Sequence, residues 1–431
     1  MDVVPLSICL FGIFLLLLLL NVPISVALGI SGVFTIILAQ VPFSMVPVII
    51  FSATSKFTML AIPFFILAGL AMERAGITRR LIDFVNLLVG HIRGGLAMVA
   101  VISCCFFSAI SGSGPATVAA IGLVIIPSMS RLGYDKNFST ALVAASGEIG
   151  IIIPPSIALV VYGVISETSI GELFIAGVVP GLIIGLSFCV VSYIISLKKG
   201  YGGGTKRGPL KEIGIAFLRS LWGLFAPVII LGGIYGGMFT PTEAAAVAAA
   251  YGIIVGMFIY RSIDLKSLMN LLIDAAVSSS IIMIIVMNAS VFAWLLTTGR
   301  VAQSVFSAVT DFTINPIFIL MMMNILLLIA GCFMDAISAY YIFIPLFLPI
   351  CKEVGIDPIH LGIIMTVNLA IGLITPPVGV DLYTACSISG ITLKDISAAI
   401  WPFVLAAIVG LIIITYIPLV SLLLPTILGM R

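Results

Sequence analysis

The sequence predicts an all-α polytopic membrane protein whose two halves are inverted repeats of one unit. Three observations carry this prediction. Hydrophobic residues make up 62% of the 431-residue chain and charged residues 8%, against roughly 25% charged residues in soluble domains. Apolar runs close to the length of a membrane span recur from one end of the chain to the other. A Pro-Pro motif inside one of these runs returns, in the same register, in the second half.

Composition also excludes several function classes. With 19 Lys and Arg against 17 Asp and Glu, the chain offers no basic surface for nucleic acid. The first apolar run follows MDVVP, which lacks the positive start of a cleaved signal, so it is predicted to stay as a span. The seven cysteines show no C-x-x-C spacing and are predicted to pack, and the two histidines are predicted at the membrane interface. No cluster of His, Cys and carboxylate side chains points to an enzyme.

The Pro-Pro motif marks a broken helix in each half. A proline in a helix interior removes one N–H donor and clashes with the preceding turn, at about 3 kcal/mol or more. A shift of 222 residues places GIIIPPS (150–156) on GLITPPV (372–378), and the same register aligns prolines from 127–180 with those of 349–402. One such pair alone could merely kink a helix for packing, whereas duplication in fixed register favours a shared functional break.

Each unit has a second interruption ahead of its prolines. SGSGPAT (111–117) interrupts the apolar residues of the first unit, and FMDAIS (333–338) interrupts those of the second. The arms on either side hold about 15 apolar residues, too few to cross a core of about 30 Å at 1.5 Å per residue. We therefore predict re-entrant hairpins near 95–130 and 315–351. Non-helical backbone at that depth must be buried in protein or line a wet cavity.

Positive charge sets the orientation of the two units. The segment 197–220 holds six Lys or Arg and one acid, which predicts a cytoplasmic loop. Counting spans from it opens the first hairpin to the cytoplasm and the second to the other side, and places both termini outside. The segment 166–172, with two acids and no basic residue, also falls outside. Inverted units with broken helices predict a binding site near the bilayer midplane.

The breaks and tips carry oxygen ligands that suit a small hard cation. An unwound stretch frees carbonyl oxygens, and the first tip adds the hydroxyls of Ser111 and Ser113. The repeat places a second site between Asp335 at the other tip and the break at 372–377, where Thr375 adds a hydroxyl. Asp335 is the strongest single candidate, because an ionised carboxylate at this depth costs several kcal/mol unless something pairs with it.

Helix starts predict the charge of the substrate. Helices are expected to restart at Pro115, Ser156 and Val378. Their positive N-terminal ends would then point at one centre, which favours a substrate that carries a carboxylate.

Several of these residues also have plainer roles. Ser111 and Ser113 could equally be small residues that let helices approach closely. Asp381 could contact substrate hydroxyls or pair with a neighbouring side chain. For Glu148 and Glu243 we expect a helix-start or interhelical role rather than that of a ligand.

Five motifs resemble those of the large membrane subunit of tripartite ATP-independent periplasmic (TRAP) transporters, and the likeness covers nearly the whole chain. They are VGHIRGGLAMVAV (89–101), SGSGPATVAAIG (111–122), GEIGIIIPPS (147–156), FTPTEAAAVAAAYG (239–252) and GLITPPVGVDLY (372–383). The resemblance implies a sodium-driven importer of a small organic acid, either a carboxylate or an acidic sugar, that works by an elevator movement. It implies no cofactor beyond the coupling Na⁺. It also implies the bacterial inner membrane as the location, with both termini periplasmic.

The resemblance further implies partners and sites. The partners are a small four-helix membrane subunit, expected as a separate chain, and a periplasmic substrate-binding protein. The first sodium site falls on Ser111, Ser113, Gly150, Ile153 and Pro155. The second falls on Asp335, Gly372, Thr375 and Pro377. The expected substrate contacts are Ser113, Thr117, Ser156 and Asp381.

We expect five segments along the chain. They are scaffold helices (1–94), a first transport unit (95–165), further scaffold with the cytoplasmic loop (166–310), a second transport unit (311–389) and a C-terminal scaffold helix (390–431). A self-sufficient sodium/carboxylate symporter would use much the same architecture without a binding protein, and it is the principal rival interpretation.

Overall fold

The computed structural model describes residues 3–202 and 208–430, and within these ranges the chain is helical without a β-strand. Short 3-10 turns at Phe57–Leu60 and Ile149–Ile151 and a π-helical turn at Val255–Ile259 accompany the α-helices. In chain order the α-helices are α1 (Val3–Leu19), α2 (Ile24–Leu38), α3 (Met45–Thr54), α4 (Ala61–Arg74), α5 (Ile77–Val89), α6 (Gly95–Ser111), α7 (Gly114–Arg131), α8 (Lys136–Glu148), α9 (Ile157–Ser166), α10 (Ile170–Lys199), α11 (Leu210–Tyr235), α12 (Pro241–Ile254), α13 (Leu265–Thr298), α14 (Val301–Phe312), α15 (Pro316–Gly331), α16 (Ala336–Glu353), α17 (Pro358–Leu373), α18 (Val380–Ser389), α19 (Leu393–Tyr416) and α20 (Leu419–Ile427).

Both predicted hairpins are present. Helices α6 and α7 pack against each other and are joined by Gly112 and Ser113, and α15 and α16 are joined by residues 332–335. Gly112 has a φ of +63°, and a methyl group on it would lie 2.6 Å from the carbonyl oxygen of Pro155. Only glycine satisfies both conditions, because a side chain there would be strained and would collide with backbone.

The second arm of each hairpin is longer than expected. Helices α7 and α16 each hold 18 residues, about 27 Å at 1.5 Å per residue. By length and composition both count among the eight helices of the described residues that can cross a membrane. The internal prolines Pro127 and Pro349 do not end these helices, so the apolar run continues helically past them.

Both predicted broken helices are also present. Helix α8 ends at Glu148 and α9 begins at Ile157, while α17 ends at Leu373 and α18 begins at Val380. The Pro-Pro peptide bond is cis in each break. The second restart lies two residues beyond the expected Val378, because Gly379 adopts a left-handed conformation ahead of the helix.

The inversion of the two units follows from the number of crossings between them. A hairpin returns to the side on which it starts. The first broken helix as a whole, the helices α10, α11 and α13, and α12 together with its π-helical turn are each long and apolar enough to cross a membrane, whereas α14, with 12 residues, is too short. An odd number of crossings therefore separates the hairpins, and the second starts from the opposite side, which confirms the predicted inverted repeat.

Two predicted boundaries are wrong. The loop expected at 197–220 is largely helical, because α10 continues to Lys199 and α11 begins at Leu210. Two lysines in the last turn of α10 interact favourably with the negative end of that helix. Residues 203–207 lie outside the described residues. The single helix expected at 390–431 is two helices, since the chain turns at Ile417 and Pro418 between α19 and α20.

Two buried tyrosines join the units. Tyr162 on α9 and Tyr340 on α16 are each 0% exposed, and their ring centroids lie 5.8 Å apart in an edge-to-face arrangement. The Tyr162 hydroxyl donates to the carbonyl oxygen of Pro358 at 2.6 Å, and the Tyr340 hydroxyl lies 2.7 Å from Thr366 Oγ1. The first broken helix is therefore fixed to the second hairpin and the second broken helix at the same place.

Candidate ion and substrate site

The first break lies directly against the first tip. A methyl group on Gly150 would lie 2.6 Å from the carbonyl oxygen of Ser113 and 2.9 Å from Thr117 Oγ1. On the far side of the break, the N–H of Ile157 donates to the carbonyl oxygen of Gly112 at 3.2 Å. The structure thus brings together segments that are 37 residues apart in sequence, from 113 to 150.

Hydroxyl groups surround this contact. Thr117 Oγ1 donates to the carbonyl oxygen of Ser113 at 2.8 Å and lies 2.9 Å from Ser111 Oγ. Ser111 Oγ itself lies 3.3 Å from the carbonyl oxygen of Ser113. These oxygens, with those of the break, form a compact group of hard ligands of the kind that binds small cations.

Other predicted residues of the first unit have structural partners here. The carbonyl oxygen of Pro155 faces Gly112, and the N–H of Ile153 donates to Ile149 O at 3.0 Å. Ser156 Oγ donates to Ile151 O at 2.6 Å and accepts from the N–H of Leu159 at 3.2 Å. Ser156 therefore caps α9, as expected of a residue at a helix restart.

The second break also lies against its tip, through a glycine that the sequence reasoning missed. A methyl group on Gly372 would lie 2.5 Å from both the Cα atom and the carbonyl oxygen of Gly331. Two glycines that approach this closely can be substituted only if the break separates from the tip. Spacing along the chain carries no signal for this contact, which forms only when the hairpin packs on the broken helix.

Asp335 caps the second arm of its hairpin. Its Oδ2 accepts from the N–H groups of Ile337 and Ser338 at 3.0 and 3.1 Å, and its Oδ1 accepts from Ser338 Oγ at 2.6 Å. These donors supply the pairing that a carboxylate at this depth requires. Asp335 also lines a cavity of ≈ 260 Å³ with Gly331 and Val378.

The remaining members of the predicted second site lie in the break itself. Thr375 Oγ1 donates to Ile371 O at 2.6 Å. Pro377 belongs to the cis Pro-Pro bond beside it. The described residues contain no group of three or more His, Cys, Asp or Glu side chains that could hold a metal. Backbone and hydroxyl oxygens are therefore the main ligands available at both breaks.

Two acidic side chains are more completely buried in the protein than any other acid among the described residues. Asp381 in the first turn of α18 and Glu148 at the end of α8 are each 0% exposed. A methyl group on Gly114, at the start of α7, would lie 2.8 Å from Asp381 Oδ2. Glu148 ends its helix, so of the two roles expected for it the helix-start role is wrong and the interhelical role stays open. No described residue forms a hydrogen bond with the carboxylate of Asp381.

Two further predictions are decided by local contacts. Glu243 forms a capping box with Thr240 at the start of α12, which confirms its expected helix-start role. His360 lies in the first turn of α17, at a segment end as expected, and its ring is buried within the protein, 2% exposed. Its nitrogens each lie 3.2 Å from a polar partner on the C-terminal helices, Ser421 Oγ and Thr415 O, so burial leaves the ring hydrogen-bonded.

The chain was compared with known proteins. Residues 11–420 match the family described as the tripartite ATP-independent periplasmic transporter, DctM component. Over 406 residues the chain is 49% identical to the C4-dicarboxylate TRAP transporter large permease protein DctM of Pseudomonas aeruginosa, covering 94% of this chain and 95% of that protein. It is 44% identical over 414 residues to the isethionate TRAP transporter permease protein DctMQ of Oleidesulfovibrio alaskensis, covering 96% of this chain and 65% of that protein.

A solved structure with a similar fold is the YdaH transporter of Alcanivorax borkumensis. It matches with a TM-score of 0.61 at 13% identity, over 88% of this chain and 87% of that one. At this identity the likeness bears on the fold alone. The arrangement of helices described above thus has a counterpart in a solved structure.

Proposed function

This chain belongs to the DctM component family of the TRAP transporters and is thus a transporter permease and not an enzyme, and from that premise we propose that it couples import of a small organic acid to sodium. One observation carries the proposal. In each unit the glycine of the break, Gly150 or Gly372, touches the backbone of the hairpin tip of the same unit. The carbonyl oxygens of Ser113 and Gly331 are therefore each held against a break, and carbonyl oxygens are ligands that suit a hard cation.

The two proposed sodium sites follow these contacts. The first uses oxygens of the first tip and break: Ser111, Ser113, Gly150, Ile153 and Pro155. The second site uses oxygens of the second tip and break, from Asp335, Gly372, Thr375 and Pro377. We add to this site the carbonyl oxygen of Gly331. In the second site, Asp335 would act through the lone pairs that its capping bonds leave open.

The proposed substrate is an anion. The named relatives act on C4-dicarboxylate and isethionate, which suggests an acidic substrate here. The N-terminal ends of α7 and α9 lie beside the first site and favour negative charge. Ser113, Thr117, Ser156 and Asp381 would provide the polar contacts.

Transport would proceed as an elevator movement of both units against a scaffold. Helices α10 and α19, which were expected in the scaffold from the sequence, pack on each other and on α6, α8 and α17, so we place them with the moving units instead. Helices α2, α3 and α4 pack on α12 and α13, and these form the proposed scaffold. Helix α16 also packs on α13, which makes that surface part of the sliding interface.

The proposed assembly includes two partners. A small four-helix membrane subunit would sit beside the scaffold, and a periplasmic binding protein would deliver the acid. DctMQ, of whose length this chain covers 65%, is a relative whose additional segment is compatible with such a subunit. The proposed location is the bacterial inner membrane, with both termini periplasmic and the connection between α10 and α11 cytoplasmic.

Uptake by reconstituted vesicles tests the proposal. The permease is reconstituted with its small subunit, and uptake of a labelled C4-dicarboxylate or another acid bound by the neighbouring binding protein is followed. We expect uptake only with an inward sodium gradient and with the binding protein. Uptake that needs sodium and no binding protein would instead identify a self-sufficient symporter. Uptake unchanged when choline replaces sodium would contradict the coupling.

A further inference from the structure

The carboxyl groups of Glu148 and Asp381 have no protein partner. Both side chains are 0% exposed, and all four of their oxygens lack a hydrogen bond to any described residue. Among the residues that the structure describes, they are the only acids buried to this degree. A carboxylate removed from water without a compensating charge or donor is strongly disfavoured. Some ligand must therefore compensate this pair whenever it is ionised.

The two acids come from different units, on helices that pack together beside the start of α7. Helices α8 and α18 pack together. A methyl group on Gly147 would lie 3.2 Å from the carbonyl oxygen of Gly114, and one on Gly114 would lie 2.8 and 3.1 Å from the two oxygens of Asp381. Gly114 thus lies against the carboxylate of Asp381 and beside Gly147, the residue that precedes Glu148.

Among the described residues, no Lys or Arg forms an ion pair with either acid. In helices α6 to α9 and α15 to α18, the Lys and Arg residues are Arg131, Lys136 and Lys352, all at helix ends. Lys136 starts the helix that Glu148 ends, about 18 Å away at 1.5 Å per residue. The ion pair found among the described residues joins Arg74 to Asp274 and lies elsewhere.

We propose that Glu148 and Asp381, with the carbonyl oxygen of Gly114, bind a further sodium ion. This inference rests on the proposed sodium coupling and extends it to a third ion. Three hard oxygen donors from two carboxylates and a carbonyl are suitable ligands for such a cation. Gly114 adjoins Ser113, a proposed substrate contact. A bound cation therefore also removes the repulsion that two negative charges would exert on an anionic substrate.

Equilibrium binding of radioactive sodium to the purified permease complex tests this site. We expect three ions per chain in the wild type and two in the double variant Glu148→Gln with Asp381→Asn. Glu353→Gln, which neutralises an exposed acid at the end of α16, serves as the matched control and should keep all three. Thermal unfolding of each variant establishes that it is folded.

The wild-type count keeps the test decisive even when the double variant does not fold. Two ions in the wild type would overturn the third site while leaving the proposed coupling intact. Equal counts in the wild type and a folded double variant would also overturn it, and would mean that the two acids are held as neutral groups. A wild type that binds no sodium would reject the proposed coupling itself.

Discussion

Replacing Gly150 by alanine should separate the first break from the first tip. The added methyl would lie 2.6 Å from the carbonyl oxygen of Ser113 and 2.8 Å from its carbonyl carbon. These are backbone atoms, which cannot rotate away as a side chain would. Overpacking of this kind costs about 1–3 kcal/mol. If the proposed sodium site requires the contact, that energy is lost from ion binding.

The size of the effect follows from this range. Each 1.4 kcal/mol changes an equilibrium constant tenfold. A loss of binding free energy in the middle to upper part of the range of about 1–3 kcal/mol therefore raises the sodium concentration for half-maximal uptake about 10- to 100-fold. The assay is sodium-titrated uptake in reconstituted vesicles, with unfolding temperature measured in parallel. Gly232→Ala is the matched control, because nothing lies within 4 Å of a methyl group at that helical position. It should leave sodium dependence unchanged.

One result would refute the reasoning. A Gly150→Ala protein that is folded, transports at the normal rate and has wild-type half-saturation for sodium would show that the contact between break and tip does not form the ion site. Gly372→Ala extends the test to the second unit, where the added methyl meets the backbone of Gly331. A parallel rise in the sodium requirement is expected there.

Other substitutions test single contacts. Asp335→Ala should greatly reduce transport, because it removes both the proposed ion ligand and a helix cap that is itself worth about 1 kcal/mol. Asp335→Asn keeps the cap and should show partial uptake with a higher sodium requirement. Asp311→Ala, at an exposed position near the end of α14, is the control and should keep wild-type transport. Wild-type sodium dependence in Asp335→Asn would show that the charge is not needed. Tyr162→Phe leaves the carbonyl oxygen of Pro358 without its donor and should lower the free energy of unfolding by about 1 kcal/mol in a thermal or denaturant assay; an unchanged stability would argue against this bond. A cysteine at Gly204, which lies outside the described residues, should resist an impermeant thiol reagent in intact cells, and labelling there would invert the proposed orientation.

The breaks and hairpins were predictable because each leaves a local mark. Proline removes a donor wherever it stands, and the same marks recur at a fixed separation in the second half. The cap at Asp335 is also a local signal, although the sequence suggested an ion ligand rather than a helix start. Helix ends were less predictable: α10 and α11 continue into the segment 197–220, where charge density alone suggested a loop.

Tertiary contacts left no such mark. The close approach of Gly331 to Gly372 depends on how the second hairpin packs against a neighbouring helix. Residue spacing along the chain does not encode this packing. The pairing of Glu148 with Asp381 was hidden for another reason. In the 222-residue register Glu148 falls on alanine and Asp381 falls on leucine, so comparison of the halves could not match one acid with the other.

The contact between Tyr162 and Tyr340 has a thermodynamic consequence. Because it fixes elements of both units to each other, a displacement of one unit displaces the other. A ligand that favours one position of the first unit then changes the affinity of the second, and linkage requires the same factor in the reverse direction. Ions at the two tips would consequently bind cooperatively, through an interface that neither ion touches. The steepness of the sodium response would then depend on the contact between the rings of Tyr162 and Tyr340.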